Sequence, residues 1–385
     1  MAFVIDIERL VQEETPKIRI TVVGVGGFGC AVVNTLAGRN IEGVDYLAVH
    51  SDPQVLAQSL AQVKLRVGNE ASIRGQVSEE ERKAIASRLD GANMVILVAG
   101  MGKGTGTWLA PGIALVARNM SILTFGIVTT PFACESRAKS QSAEEGIASL
   151  RKYADALVVV ENDKLVAQAG EDALVDEVFA FSGELVSGTV KSVAEVLTNR
   201  GNIDISFNDF AGFLSNAGES AIGIGSASGA GSAMNAVTAA FKSLQLHRET
   251  ASSLAGMMVS ITGKVTMKDL NRAMRYLQEQ VGDQTSIINA YVNQGAEPGL
   301  TRATLIVTGV KKADKTAPPP DRQPPRWPKS LPGITNKGIL PPMFVLKGLS
   351  IDGVQGGHPA ESAQYRDRIS KDSPETPAFE RLIRG

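Results

Sequence analysis

Between Lys17 and about Val160, short runs of apolar and β-branched residues alternate with stretches of helical period: "KIRITVV", "CAVVNTLAG", "DYLAVH", "MVILVA", "LAPGIALVARNM", "ILTFGIVT" and "ADALVVV". Strands that are apolar almost throughout, separated by helices, predict a parallel sheet covered on both faces. From Leu174 to Asn199 the period is helical, with Leu174, Val175, Val178, Leu185, Val186, Val190, Val193 and Leu197 at threes and fours and Gly201 as the stop. A helix of about 26 residues reaches roughly 39 Å, enough to join one domain to another. Beyond "NDFAGFLSN" the pattern predicts a glycine- and serine-rich turn, "GIGSASGAGS", and a helix from about Ala233 to Leu246. "GMMVSITGK", "MKDLNRAMRYLQEQVG", "TSIINAYVNQ" and "RATLIVTGV" then read as strand, helix, strand and strand, a second α/β or α+β domain.

At Lys311 the pattern stops. "KKADKTAPPPDRQPPRWPKSLPG" is proline-rich and basic and reads as an extended linker, with one apolar island, "GILPPMFVLKGLSI". The expected organisation is an N-terminal extension (1–16), an α/β domain (17–173), a central helix (174–200), a smaller α+β domain (201–310), the linker (311–374) and a terminal peptide (375–385).

Length and composition narrow the classes. A chain of 385 residues exceeds the size at which single cores stop growing, about 250–300 residues, so two cores are expected. The net charge of −1 gives no global field for nucleic acid or an anionic membrane, and no nucleic-acid partner is expected. Cys30 and Cys134 have neither metal-ligand spacing nor histidines beside them, so no metal site or disulfide framework is expected. The acidic start lacks a basic segment followed by a long apolar one, and no apolar run is long enough to span a bilayer, so the expectation is a soluble cytoplasmic protein.

Two glycine-rich stretches carry the chemistry. "VVGVGGFG" sets Gly24, Gly26 and Gly29 in a GxGxxG pattern between a strand and a helix, where backbone N–H groups can hold a phosphate or simply make a tight turn. "VAGMGKGTGTWLAP" repeats the arrangement, with Gly100, Gly102, Gly104 and Gly106 too dense for a turn alone. Thr105 and Thr107 can bond phosphate oxygens or cap the following helix. Lys103 is not a P-loop lysine, because the pattern GxxxxGK[ST] meets Leu97 and Gly104 where it needs glycine and a hydroxyl.

"GMGKGTGTWLAP" resembles the tubulin/FtsZ signature GGGTGTG, and "GVGGFG", "LAVHSDPQVL", "VTTPFACE" and "ENDKL" resemble that family's other motifs in the same order, over about residues 17–310. The resemblance implies a parallel-sheet GTP-binding domain joined by a central helix to a smaller domain. It further implies binding of GTP and GDP, with Mg2+ carried by the nucleotide, and head-to-tail self-assembly. By position it places Gly24, Gly26, Gly27 and Gly29 in the first phosphate loop and Gly102, Lys103, Gly104, Thr105, Gly106 and Thr107 in the second. Glu135 falls near the ribose, Asn162 near the nucleotide, and Asp52 after the second strand. Taken alone, Asp52 also reads as a strand-end turn residue and Asn162 as a helix N-cap.

Departures from the family pattern are specific. Lys103 replaces a signature glycine and either adds an ion contact, occupies phosphate space or faces solvent. Trp108 replaces the glycine that starts the helix and either packs on the sheet or crowds the nucleotide. "GNEASIRGQVSEEER" lacks the small-residue loop that approaches the terminal phosphate. The base-contacting positions of the central helix fall on Val178 and Ser182, with Phe179 or Phe181 available as a substitute stack or as core. Lys139 replaces an arginine, keeping charge and losing the fork. In the family, carboxylates on the loop after the central helix complete the neighbouring subunit's site. Here "DISFNDF" offers Asp204 and Asp209, with Ser206 where the first acid belongs. Losing one acid-base group commonly costs about 10²–10⁴ in rate, so slow, assembly-dependent GTPase activity is expected.

The ending "ETPAFERLIRG" resembles the family's partner-binding tail, with Pro377, Phe379, Leu382 and Ile383 as anchors. The resemblance implies a division-ring filament at the inner face of the membrane, with a membrane adaptor or other division proteins, and a standard FtsZ, as further partners. The alternative is a non-hydrolysing scaffold in which the nucleotide is structural.

Overall fold

The computed structural model describes residues 18–310, apart from 40, 69–76, 170–172, 199–204, 216, 245, 247 and 293–298. The elements in chain order are β1 (Ile20–Val25), α1 (Gly26–Ala37), β2 (Val44–His50), α2 (Pro53–Gln58), β3 (Val63–Arg66), α3 (Glu79–Leu89), β4 (Met94–Gly100) and α4 (Gly104–Asn119). They continue as β5 (Leu123–Thr129), α5 (Arg137–Arg151), β6 (Ala156–Val160), α6 (Asn162–Ala169), α7 (Val175–Thr198) and α8 (Phe207–Leu214). The last group is β7 (Gly218–Ser228), α9 (Ser232–Ser243), α10 (Arg248–Ala251), β8 (Gly256–Thr262), α11 (Met267–Gln280), β9 (Ser286–Val292) and β10 (Leu300–Thr308). Of these, α2, β3 and α3 were not separately anticipated; β3 is four residues long and alternates half-buried with exposed positions, which leaves little apolar signal.

These strands form one sheet in the order β3-β2-β1-β4-β5-β6-β7-β10-β8-β9. Only β10 runs against the rest, antiparallel to both β7 and β8. The fold is α/β, with a parallel-sheet domain joined through α7 to a smaller α+β part. The seam between the parts is also a strand pairing, Ala156–Val158 of β6 lying parallel to Gly218–Ser220 of β7.

Burial on both faces explains the apolar strands. On one face, α1, α6, α7 and α8 close a core through Val33, Leu36, Leu165, Val186, Val190 and Phe210; on the other, α3, α4 and α5 close a second through Ile85, Leu109, Ile113 and Leu150. A third core joins α9 and α11 to β7, β8 and β10 through Val237, Leu270 and Leu277. Helix α7 belongs to the first core together with Ile222, Met258, Ala290 and Ile306 of the smaller part, so it packs against both parts. Each valine it buries fully contributes about 1.5–3 kcal/mol.

The glycine- and serine-rich segment is not the turn its composition suggests. Gly218–Ser228 is a strand of 11 residues, and the turn is confined to Gly229–Gly231. The reason is close packing: a side chain on Gly223 would collide with the Ala240 carbonyl, and one on Gly225 with the backbone of Ala236 and Ala240. The glycines let α9 lie directly on the strand.

Candidate functional site: paired glycine loops at the sheet's switch point

Strand order reverses between β1 and β4, where Gly24 pairs with Val98 and Val25 with Ala99. Crevices at such reversals, outside the carboxyl ends of strands, are where open α/β sheets bind ligands. Helix α1 leaves β1 here, and α4 leaves β4 beside it. Gly24 and Gly29 are packed so closely that a side chain on Gly29 would collide with the Val98 carbonyl. Gly26 takes a left-handed φ of 75°, and a Cβ there would stand 3.1 Å from the Gly106 amide nitrogen. The two loops therefore touch. Neither helix has a side-chain cap, Val25 and Lys103 being the N-cap residues, and neither has an acid in its first turn. Uncapped N–H groups from two adjacent helix starts make an anion cradle. A phosphate chain fits that cradle in charge and donor type, and added side chains would fill or distort it.

The second loop is braced from within. Gly102, at φ 102°, is pressed against Pro131, whose Cγ would lie 2.5 Å from a Cβ. Thr107 is fully buried; its hydroxyl donates to the Lys103 carbonyl and accepts from the Gly102 amide at 2.9 Å. Thr107 thus ties the loop to itself, leaving its hydroxyl no role toward an anion. Thr105 shares a hydrogen bond of 2.9 Å with Ser51, a residue sequence reasoning passed over in favour of its neighbour Asp52. Asp52 caps α2, accepting from the Gln54 amide at 2.8 Å, while its own amide donates to His50 Nδ1 at 2.8 Å. Burial holds the His50 imidazole below its ordinary range, although Asp52 pulls the other way. Gly27 and Gly104 lie half-buried in the first turns of α1 and α4, and Lys103 is exposed.

Other candidates meet in pairs. Lys139 Nζ lies 3.1 Å from Glu135 Oε2, and the other Glu135 oxygen accepts from the Phe132 amide at 3.0 Å. Asn162 and Ser182 are both buried and are joined by a hydrogen bond of 3.3 Å at the start of α6. Val178 is turned into the core, so it cannot meet a base. Phe179, one residue on, stands edge-on to Phe132 with ring centroids 4.9 Å apart, while Phe181 is exposed. Trp108 is half-buried and, among the described residues, joins none of the three apolar cores.

The catalytic candidates are elsewhere. Helix α7 begins near Asn162, at the carboxyl end of β6, and ends where Thr198 packs on Gly43, at the amino end of β2. From Ser182 to Thr198 it rises about 24 Å. Asp209 in the first turn of α8 follows that end, so it lies at the opposite edge of the sheet from the glycine loops. Ser206 caps α8, accepting from the Asp209 amide at 3.1 Å and donating to Asp209 Oδ2 at 2.6 Å. Asp204 lies outside the described residues, as do most of the segment after Gly68, the linker and the terminal peptide.

Two further observations bound the chemistry. Among the described residues no three His, Cys, Asp or Glu side chains gather to hold a metal, and no helix is long and apolar enough to cross a membrane. A cavity of about 1060 Å³ opens between α7 and the β6–β7 seam, lined by Phe181, Glu184, Lys191, Glu195 and Arg302, and it contains none of the glycine-loop residues. Phosphate recognition by backbone amides needs no enclosed cavity, so the loops and this cleft are separate places.

Residues 19–170 match the tubulin/FtsZ family GTPase domain, and residues 218–311 match the FtsZ family C-terminal domain. An FtsZ dimer from M. jannaschii is 28% identical, with a TM-score of 0.72 over 80% of this chain and 92% of that one. CetZ2 from Haloferax volcanii, in a GTPγS-bound protofilament, is 20% identical with a TM-score of 0.64, over 77% of this chain and 95% of its own, a likeness of fold. With both domain matches in order along one sheet, and with the paired loops inside the first of them, this chain belongs to the tubulin/FtsZ family of GTP-binding cytoskeletal proteins.

Proposed function

We propose that this chain polymerises head to tail into protofilaments and hydrolyses GTP slowly at the junction between subunits, as part of a division apparatus on the inner face of the cytoplasmic membrane. One observation carries the reading: the glycine loops and Asp209 sit at opposite edges of one sheet. A carboxylate so placed cannot serve its own subunit's loops, but stacking brings it to the next subunit's.

GTP supplies the phosphoryl bond that is cleaved, with Mg2+ accompanying it. The amides of Gly26, Gly27, Gly104 and Thr105 bind and orient the phosphates, and the Asn162–Ser182 pair lies toward the base. Asp209 orients water and takes up its proton. The Ser206 hydroxyl, which donates to Asp209, stands where an acid would otherwise be and leaves the loop one carboxylate short, which supports a slow rate. The same shortage favours a second reading, a scaffold that retains nucleotide without turning it over. Membrane adaptors recruited through the terminal peptide, and a standard FtsZ as co-polymer, complete the proposal on the strength of the tail's resemblance.

Mixing subunits tests it. Asp209→Ala and Gly106→Ala, whose new Cβ collides with the Gly100 carbonyl, each remove one half of a shared site. Each alone is expected to be nearly inactive, and their mixture to recover activity. Wild-type turnover is expected to rise more steeply than protein concentration. A rate proportional to concentration and indifferent to Asp209 would sink the shared site and leave the scaffold.

A further inference from the structure

The turn between β2 and α2 reaches across to the second glycine loop, and His50 holds that turn. It closes β2, half-buried, and its Nδ1 accepts from the Asp52 amide at 2.8 Å. Between the two, Ser51 shares its 2.9 Å hydrogen bond with Thr105 in the first turn of α4. Thr105 in turn lies against the start of α1, its Cβ 3.8 Å from where a Cβ on Gly26 would stand. Ser51 is also held from β3 and the residues after it: Arg66 Nε donates to its carbonyl at 3.2 Å, and a Cβ on Gly68 would stand 2.8 Å from its own. Asp52 starts α2, its carboxylate accepting from the Gln54 amide. The imidazole therefore fixes the peptide that joins a phosphate-loop contact to a helix cap.

That hydrogen bond sets the ring's protonation state. A nitrogen that accepts carries no proton, so the neutral imidazole keeps its single proton on Nε2. A second proton, on Nδ1, sets one N–H against the Asp52 N–H, and two donors cannot bond each other. The ring then has to turn, and the anion that draws it is the Asp52 carboxylate, which α2 already uses as its cap. On the surrounding elements the other titratable or charged groups, among the described residues, are Cys30 on α1, Lys64 and Arg66 on β3, Glu81 on α3 and Lys103 before α4. Arg66 stands opposite His50 in the β2–β3 register. Resting on the assignment of these loops to GTP, we propose that neutral His50 is a positioning residue for the nucleotide, holding Ser51 against Thr105, so that a proton on Nδ1 loosens the second loop and weakens binding in mild acid. Burial keeps the imidazole below its ordinary 6.5, so the neutral form prevails at neutral pH and the loss sets in as pH falls through a value under 6.5.

The test is equilibrium dialysis of GTP and GDP against the full chain, in Mg2+, from about pH 7.5 to about pH 5.5. Wild type is compared with His50→Asn, whose side-chain oxygen accepts where Nδ1 did and does not titrate, and with His50→Leu, which cannot accept. Thermal melts establish that each protein is folded at each pH. Phosphates gain a proton in the same range, so the quantity read is the affinity of wild type relative to His50→Asn. That ratio is expected to fall about three- to tenfold between the upper and the lower pH, the scale of one hydrogen bond. His50→Leu is expected to bind about three- to tenfold more weakly than wild type at the upper pH, with His50→Asn recovering the loss. The chain has three histidines, so 15N spectra identify His50 as the signal that His50→Asn removes, and they are expected to show its Nδ1 without a proton at the upper pH. A ratio that stays flat overturns the proposal, as does a proton on Nδ1 at the upper pH or a His50→Leu that binds like wild type. A wild type that binds neither nucleotide at any pH overturns the GTP assignment itself, a different result.

Discussion

Replacing Ser206 with aspartate restores a carboxylate where the family pattern has one, and the structure says what that costs. Ser206 caps α8 by accepting from the Asp209 amide at 3.1 Å. Aspartate caps as well as serine, whereas Ser206→Ala forfeits about 0.5–2 kcal/mol. The new carboxylate loses the 2.6 Å hydrogen bond to Asp209 Oδ2 and repels it instead. At about 4 Å in water-like dielectric the repulsion is about 1 kcal/mol. The pair is exposed, so the water-like value applies, and the helix start offsets part of it. The cap is therefore kept at little cost, and the loop gains a second carboxylate. Phosphate release measured over a range of protein concentrations, with sedimentation in parallel, is expected to show turnover about 10–100-fold above wild type for Ser206→Asp. Ser206→Ala, which gains no carboxylate, is expected to melt earlier with turnover near wild type. If Ser206→Asp assembles normally yet hydrolyses at the wild-type rate, a second acid at this loop does not limit the reaction and the placement of Asp209 at the junction loses its chemical basis.

Three other outcomes follow from the packing. Gly225→Ala puts a methyl into the backbone of α9 and 2.8 Å from Ala239 Cβ, and is expected to cost about 1–3 kcal/mol in urea unfolding. Thr107→Val strands the Gly102 amide and takes one donor from the Lys103 carbonyl, which keeps the Thr107 amide, for about 1–3 kcal/mol of stability and a matching fall in GTP affinity; Thr107→Ser is expected to keep both hydroxyl bonds. Burial holds the Glu195 carboxyl above its ordinary 4.5, against the pull of Lys191, Arg302 and Arg39. Between the ordinary and the raised value the folded state binds more protons, so this group's contribution falls as pH rises. Melting curves are accordingly expected to show Glu195→Gln gaining on wild type from pH 4.5 upward and levelling once Glu195 is ionised in both states.

Much of this architecture was legible in the residues. Apolar β-branched runs and the long helical period gave the parallel strands and the central helix, because burial on two faces leaves almost no polar position to blur them. The glycine loops were legible because few other uses need glycines at that density. What was hidden depends on partners far along the chain. The composition of β7 reads as turn, and only the backbone of α9 against Gly223 and Gly225 makes it strand. The internal role of Thr107 needed the loop's own curvature. Val178 was expected near the base, yet the helical phase sends it into the core and leaves Phe179 facing Phe132. Ser51 gave no signal, since its partner Thr105 belongs to a different strand-helix turn.

The joint between β6 and β7 has a mechanical meaning. It spans only Ala156–Val158 against Gly218–Ser220, while the β7–β10 pairing beside it runs from Ser220 to Ser228. Parallel strands pulled along their own axis load all their shared hydrogen bonds in shear, whereas strands pulled sideways give way one bond at a time. Helix α7 runs from one edge of the sheet to the other, along the strand direction. Tension transmitted between those edges therefore reaches the joint in its stronger mode, and a short seam suffices. A sideways load finds the same seam at its weakest, with the packing of α7 on one face and the Arg151–Glu219 ion pair among the ties that remain.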